Sequence, residues 1–239
     1  MPYTTEAKGT PGTLEYRLFF KKDDAPISPW HDIPLVADAA SHTYNMVVEI
    51  PRGTAAKLEI STDEPGNPIK QDTKNGKLRF IADVNGCTGY VVNYGAFPQT
   101  WEDPSFVHPD TNCKGDKDPL DVCEIGSQAA QAGDVRAVKV LGCLAMIDEG
   151  ETDWKVIAID AADPLAADLH DVADVEAKLP GFLEKLHHWF RDYKIPDGKP
   201  ANHFAFEGKA KPREYTVSVL EECHEAWRRV YGEKAAAAL

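Results

Sequence analysis

Apolar residues recur at two different periods along this chain, and the change of period divides it. Up to residue 159 they alternate with polar ones in short runs, at 16–20, 44–50, 57–61, 77–81, 90–94, 135–147 and 154–159. Alternation of this kind marks strands, and the glycines, prolines, asparagines and aspartates between the runs supply turns. Later the period lengthens. Asp171-Val172-Ala173-Asp174-Val175-Glu176 opens a helix that Leu179-Pro180 interrupts, and 182–193 resumes it with Leu183, Leu186, Phe190 and Tyr193 at helical spacing. A last stretch, 215–234, repeats Val219, Leu220, Cys223, Trp227 and Val230, a stripe that reads as core packing rather than a binding surface. No repeat or low-complexity linker divides the chain. The expectation is therefore one mainly β (α+β) domain over 1–239, a closed barrel with helices packed outside, and flexible tails at 1–13 and 235–239.

Composition narrows the class without naming a chemistry. At 239 residues, 43% hydrophobic and 27% charged, the chain has ordinary soluble composition and length for one sizeable core. No apolar run approaches membrane-spanning length, and the first residues lack both the apolar core of a signal peptide and an Arg-rich transit character, so a cytoplasmic address is expected. Five cysteines (Cys87, Cys113, Cys123, Cys143, Cys223), an odd number with no C-x-x-C pair, argue against a disulfide framework or a zinc site. The adjacent His187-His188 pair lies in a helical run, where neighbours face different directions. A net charge of −13 works against nonspecific binding to nucleic acid or an anionic membrane. It does not exclude a phosphate substrate, because metal ions and a few placed cations reverse the field locally.

The segment Gly115-Asp116-Lys117-Asp118-Pro119-Leu120-Asp121 sets three carboxylates within six positions. Neighbouring carboxylates repel unless cations neutralise them, so the segment reads as a site for hard metal ions. Pro119 biases Asp118 away from helical geometry, and in extended backbone Asp116 and Asp118 share a face with Cβ atoms roughly 6 to 7 Å apart. Asp121 can join them after a bend. All-oxygen ligation of this sort is what magnesium prefers, usually over phosphate substrates. A calcium loop fails on pattern, since Leu120 stands where a third acidic or Asn position belongs. The plain alternative is a solvated acidic turn.

Other charged residues sit where a barrel can turn them inward. Asp148-Glu149-Gly150-Glu151-Thr152-Asp153-Trp154-Lys155 is a second acidic cluster, by itself a hairpin turn. Glu49 and Arg52, Lys57 and Glu59 lie within or beside strand-like runs. Arg79 alternates onto a polar face, and its planar fork suits phosphate. Tyr90 and Tyr94 are expected on one strand face, with hydroxyls able to donate to phosphate oxygens. Tyr193-Lys194 ends the interrupted helix.

Taken in order and spacing, these segments resemble the soluble family I inorganic pyrophosphatases of the eukaryotic type. The match runs from about residue 14 to about 227 and includes Asn45-Met46-Val47-Val48-Glu49-Ile50-Pro51-Arg52, Ala56-Lys57-Leu58-Glu59-Ile60, Asn93-Tyr94-Gly95-Ala96-Phe97-Pro98-Gln99-Thr100-Trp101, the D-x-D-P-x-D segment and Trp189-Phe190-Arg191-Asp192-Tyr193-Lys194. The resemblance implies a five-stranded OB-like barrel with flanking helices and an extended N-terminal β segment. It implies hydrolysis of inorganic pyrophosphate with several magnesium ions, manganese or other divalent ions being possible substitutes. By the same resemblance Asp116, Asp121 and Asp153 hold the principal metal, and Asp121 helps bridge to a second. Asp148 with Asp153 holds a further ion, and Glu59 supports another through waters. Asp118 accepts the proton of the attacking water. Lys57, Arg79, Tyr94, Lys155, Tyr193 and Lys194 bind phosphate oxygens, with Lys57, Arg79 and Tyr94 counted among the catalytic groups. Glu49 and Tyr90 line the cavity. A homodimer is expected, although Gly53 and Thr88 stand where fungal members carry a Trp and a His at the dimer contact.

Two other functions remain open on sequence. A hydrolase of nucleotides or polyphosphate would use the same metal chemistry. An OB-type barrel that only binds single-stranded nucleic acid needs a basic groove, which the net charge disfavours.

Overall fold

The computed structural model describes residues 3–237. Strands β1 (Thr4–Lys8), β2 (Arg17–Lys22), β3 (Ala25–Ile27), β4 (Val36–Asp38), β5 (Thr43–Ile50), β6 (Leu58–Ile60), β7 (Ile69–Gln71), β8 (Thr73–Lys74) and β9 (Lys77–Leu78) form the first third. They are followed by β10 (Asn93–Ala96), β11 (Lys114–Gly115), β12 (Asp121–Glu124), β13 (Val135–Asp148) and β14 (Glu151–Asp160). Helices α1 (Val172–Lys178) and α2 (Phe182–Asp192) come next, and β15 (His203–Phe204) and β16 (Lys211–Pro212) lead into α3 (Arg213–Ala237).

Five strands close on themselves. β5 pairs with β10, β10 with β12, β12 with β14, β14 with β13 and β13 again with β5, all antiparallel except β12 with β14. Closure leaves no unpaired edge in the ring, the arrangement of an OB-like barrel. β13 can serve two neighbours because a bulge between Val140 and Gly142 bends it. Alternation along β14 feeds two cores: Ile157 and Ile159 pack with Val175 of α1 and Leu186, Trp189 and Phe190 of α2. Val156 and Ala158 pack with Met46, Val48, Val122 and, from α3, Val219 and Leu220. Val219, Leu220, Cys223 and Trp227 of the C-terminal stripe are thus core packing, whereas Val230 is exposed. α2 begins at the Pro180-Gly181 break, where Gly181 caps its N-terminus at φ 77°.

A second sheet, in the order β1-β2-β7-β6 with β3 on β2, lies against the barrel through Leu18, Phe20, Ile60, Ile69, Val47 and Trp227. The stretch expected as an N-terminal tail contains β1, which pairs residue by residue with β2 while every one of its side chains is exposed. Backbone hydrogen bonds rather than apolar burial hold it, so it carries no hydrophobic signal. At the other end α3 runs through Ala235 to Ala237, and residues 238–239 of the expected tail lie outside the described residues. No helix among the described residues is long and apolar enough to cross a membrane.

The run at 90–94 is not a strand throughout. β10 begins only at Asn93, because Gly89 at φ 66° packs so close to the Thr54 carbonyl that a Cβ would sit 2.5 Å from it. Tyr90 is pinned there by its own backbone bonds to Gly53 and Thr54. Its ring still reaches Tyr94, at 4.9 Å between centroids, but through this bend rather than along one strand face.

Candidate active site

Strand alternation and one tight turn bring the polar side chains to a single cavity of about 190 Å³. On β14, Asp153 and Lys155 are two residues apart and share a face. The two-residue turn Glu149-Gly150, at φ 50° and 91°, folds β13 back so that Asp148 lines the same cavity. β12 starts at Asp121, which lies opposite Lys155 in the parallel pair.

Asp116 and Asp118 reach the cavity differently from the extended geometry expected. Lys117 between them takes a left-handed φ of 78°, and the Asp116 carboxylate accepts the Asp118 N–H at 3.0 Å. A short acidic side chain that bonds the backbone two residues on favours a turn over a strand. This turn is clamped to residues 101–103. The Lys117 N–H donates to the Glu102 carbonyl and the Glu102 N–H to the Asp118 carbonyl, each at 3.0 Å, and the Trp101 indole donates to the Lys117 carbonyl at 2.8 Å. Gly115 has to be glycine at this approach, since a Cβ would meet the Glu102 carbonyl carbon at 2.4 Å.

The cations arrive already paired. Lys155 donates to Asp121, to Asp153 and, at 3.1 Å, to the Tyr94 hydroxyl, which itself donates to Asp121. Lys194 donates to Asp148. Lys57 pairs with Glu59 at 2.6 Å and Asp72 at 3.4 Å, and Arg79 pairs with Asp72 at 3.0 Å. Buried Glu49 accepts the Ile60 N–H at 2.6 Å and so ties β5 to β6, which carries Glu59. An aromatic stack positions the phenols: Trp189 of α2 lies 4.9 Å from Tyr90 and stacks on Tyr193 at 5.4 Å.

All the residues that the resemblance gave to the site line this cavity: Glu49, Lys57, Glu59, Arg79, Tyr90, Tyr94, Asp116, Asp118, Asp121, Asp148, Asp153, Lys155, Tyr193 and Lys194. The sequence reading missed two acids beside them. Asp72 is the shared partner of Lys57 and Arg79, in the stretch Gln71-Asp72-Thr73, where nothing sets it apart from a solvated turn. Glu102 groups with Asp116 and Asp153, one carboxylate oxygen of each lying within 4.8 Å of the others. Its only signal is an acid directly after Trp101 that turns out to be 3% exposed.

Eight acids face five cations across the lining, so the site is short of positive charge. Burial, then Asp118 and Asp121, raise the Asp116 carboxyl to about 7. Burial, then Asp121 and Glu59, raise Asp118 to about 6, although its outer side is exposed at the cavity rim. Burial alone would lower Lys155, but the charges of Asp121 and Asp153 outweigh it and keep the ammonium protonated. Burial raises Tyr90, Tyr94 and Tyr193, which stay protonated and able to donate. Two enclosed carboxylate oxygens, Oε2 of Glu102 and Oδ1 of Asp148, have no hydrogen-bond partner. An all-oxygen donor set with surplus negative charge and orphaned oxygens fits hard divalent ions.

Comparison with known proteins places the chain. The sequence model of the family described as inorganic pyrophosphatase matches residues 46–228. The chain belongs to the inorganic pyrophosphatase family. Within it, the inorganic pyrophosphatase of Kluyveromyces lactis is 59% identical over 236 residues, 99% of this chain and 82% of that one. The structure of inorganic pyrophosphatase from Schistosoma japonicum matches with a TM-score of 0.94 at 54% identity, covering 95% of this chain and 80% of that chain. A truncated vacuolar soluble pyrophosphatase from Trypanosoma cruzi, solved in complex with PPi, matches with a TM-score of 0.90 at 42% identity, over 96% and 91% of the two chains.

Proposed function

We propose that this cavity hydrolyses inorganic pyrophosphate to two orthophosphates by in-line attack of water, with magnesium as its metal. The observation that carries the reading is the convergence of crowded carboxylates, paired cations and protonated phenols on one cavity of about 190 Å³. That volume lies below the roughly 300–1,000 Å³ of sites for drug-sized ligands, which favours pyrophosphate over a nucleotide.

Asp116, Asp121 and Asp153 are assigned to the principal metal, Asp121 also to its neighbour, Asp148 with Asp153 to a further ion, and Glu59 to another through waters. When bound, such ions would neutralise phosphate charge and lower the pKa of a bound water. Asp118 takes the proton of the attacking water from its place on the turn at the rim, with a carboxyl raised far enough to exchange protons near neutral pH. Lys57, Arg79, Lys155 and Lys194, with Tyr94 and Tyr193, hold phosphate oxygens and stabilise the departing phosphate. Positioning and charge account for most of the rate, because phosphoryl transfer needs little covalent help. Lys57, Lys155 and Lys194 each face a carboxylate in the free protein, so loading is an exchange. With metal and substrate bound, the carboxylates would serve the metal and the ammonium groups would be free for phosphate oxygens.

The reading includes a cytoplasmic homodimer. Gly53 and Thr88, at the positions of the fungal dimer contact, are both exposed, and the Gly53 N–H donates to the Tyr90 carbonyl at 2.8 Å, two residues from Thr88. Space is open where a Gly53 side chain would project, so a contact there has to form without the aromatic pair. Mass in solution tests the dimer.

The test of function is phosphate release from pyrophosphate with and without millimolar magnesium. Asp118→Asn should cut turnover by roughly 10²- to 10⁴-fold while leaving the urea midpoint unchanged. Turnover like that of the unaltered protein would overturn the role of Asp118, and no release by the unaltered protein would overturn the function.

A further inference from the structure

We propose that Glu102 completes the carboxylate set around the ion assigned to Asp116 and Asp153, its free oxygen acting on that ion directly or through one water. The inference rests on reading this cavity as a divalent-metal site, and it adds a residue to which the family resemblance gave no role.

Glu102 is an acid in an expensive place. It is 3% exposed, and among the described residues no lysine, arginine or histidine pairs with it. Lys155, the cation of this corner, is committed to Asp121 and Asp153. Enclosing a carboxylate without a counter-charge is costly, and two further carboxylates beside it add repulsion. One oxygen is accounted for: Oε1 accepts the Trp154 N–H at 3.1 Å, across the position next to Asp153 on β14. The other, Oε2, is enclosed and has no partner. Carboxylate oxygens of Glu102, Asp116 and Asp153 all lie within 4.8 Å of one another. One hard cation at roughly 2.0–2.6 Å from each oxygen spans such a gap.

A purely structural role does not account for this arrangement. The clamp on the acidic turn is made by the Glu102 backbone, through its N–H to Asp118 and its carbonyl from Lys117. Any residue with a backbone N–H would make those bonds. The contact with Trp154 needs an oxygen but not a charge. Without a cation, burial and the neighbouring acids hold a proton on Glu102; a cation between the three acids takes the place of that proton and gives the idle oxygen a partner.

Glu102→Gln separates these roles, because it keeps the volume, the backbone clamp and an oxygen for Trp154 while removing the charge and the free carboxylate oxygen. Titration calorimetry with magnesium and with manganese, in the absence of pyrophosphate, should show the tightest site weakened roughly 10- to 100-fold. The metal-free melting temperature should be unchanged or higher, since Gln keeps the volume and the contact with Trp154 and needs no proton to be neutral. Unchanged metal affinity with a lowered metal-free melting temperature is the outcome of a structural residue and overturns the proposal. If the variant does not fold, crystals of the unaltered protein soaked in manganese decide. An anomalous peak near Asp116 and Asp153 that Glu102 touches directly or through one water supports the role, and a Glu102 carboxylate clear of every peak overturns it. Phosphate release by the unaltered protein, measured alongside, keeps the two readings apart: its absence would sink the pyrophosphatase reading and leave the metal result standing.

Discussion

Removing the ammonium of Lys155 should destabilise the metal-free protein far more than removing its bulk. Lys155 is 2% exposed and donates to Asp121, Asp153 and Tyr94. Its stem runs past the Tyr94 and Phe190 rings, with the ammonium 5.5 and 5.6 Å from their centroids. Lys155→Met keeps that packing and leaves two enclosed carboxylates facing each other without a cation. Breaking a buried ion pair from one side costs about 3–5 kcal/mol, a large share of the roughly 5–15 kcal/mol by which a domain is usually stable. Urea unfolding in a chelator at neutral pH reads this loss. A divalent ion can supply the missing charge, so magnesium should stabilise the variant by more than it stabilises the unaltered protein. Ligand at 100 times its Kd contributes about 2.7 kcal/mol, enough to restore most of the deficit. A loss below about 1 kcal/mol in chelator, or equal increments from magnesium in both proteins, would refute the idea that Lys155 stands in for metal charge.

Proton binding should show the same shortage of positive charge. The Asp116 carboxyl, held at about 7 against an ordinary 3.8, keeps its proton in the folded chain over a range where the unfolded chain has lost it. In chelator, stability from this group therefore falls as pH rises from about 4 to about 7, by up to about 1.4 kcal/mol per unit, and excess magnesium should flatten the slope. Urea midpoints at pH 5 and pH 8 check the sign, and a metal-free midpoint that climbs across this window contradicts it. Asp72→Asn should loosen Lys57 and Arg79 together, raising KM for pyrophosphate roughly tenfold, equivalent to about 1.4 kcal/mol, with a smaller change in kcat. Steady-state kinetics with magnesium would expose an unchanged KM, the result that removes Asp72 from substrate binding.

Much of the fold was legible because burial leaves a local trace. The long runs at 135–147 and 154–159 became β13 and β14, and the period at 182–193 became α2. Elements held by backbone pairing alone left no such trace. β1 is exposed along its length, and β11 and β15 are two residues each. The acidic segment is a turn rather than the expected extended run, and its carboxylates still reach the cavity. Pro119 restrains only the residue before it, whereas the bend is made at Lys117, at φ 78°, and is held by the bond from the Asp118 amide to the Asp116 side chain.

What the amino-acid order determined by itself is the supply of groups and their immediate neighbours: three carboxylates around Pro119, Asp153 and Lys155 on one face of a strand, phenols and a lysine at the end of a helix. Those relations follow from the periods of strand and helix, which act over a few residues. Tertiary structure alone decided which of these charges meet, and it added Glu102 and Asp72. The carboxylate of Glu102 is bonded to a backbone amide 52 residues away, a distance over which no local period carries information. Closure of the barrel brings such residues together. Its enclosed, charge-crowded cavity then makes their ionisation and their need for metal a property of the whole fold.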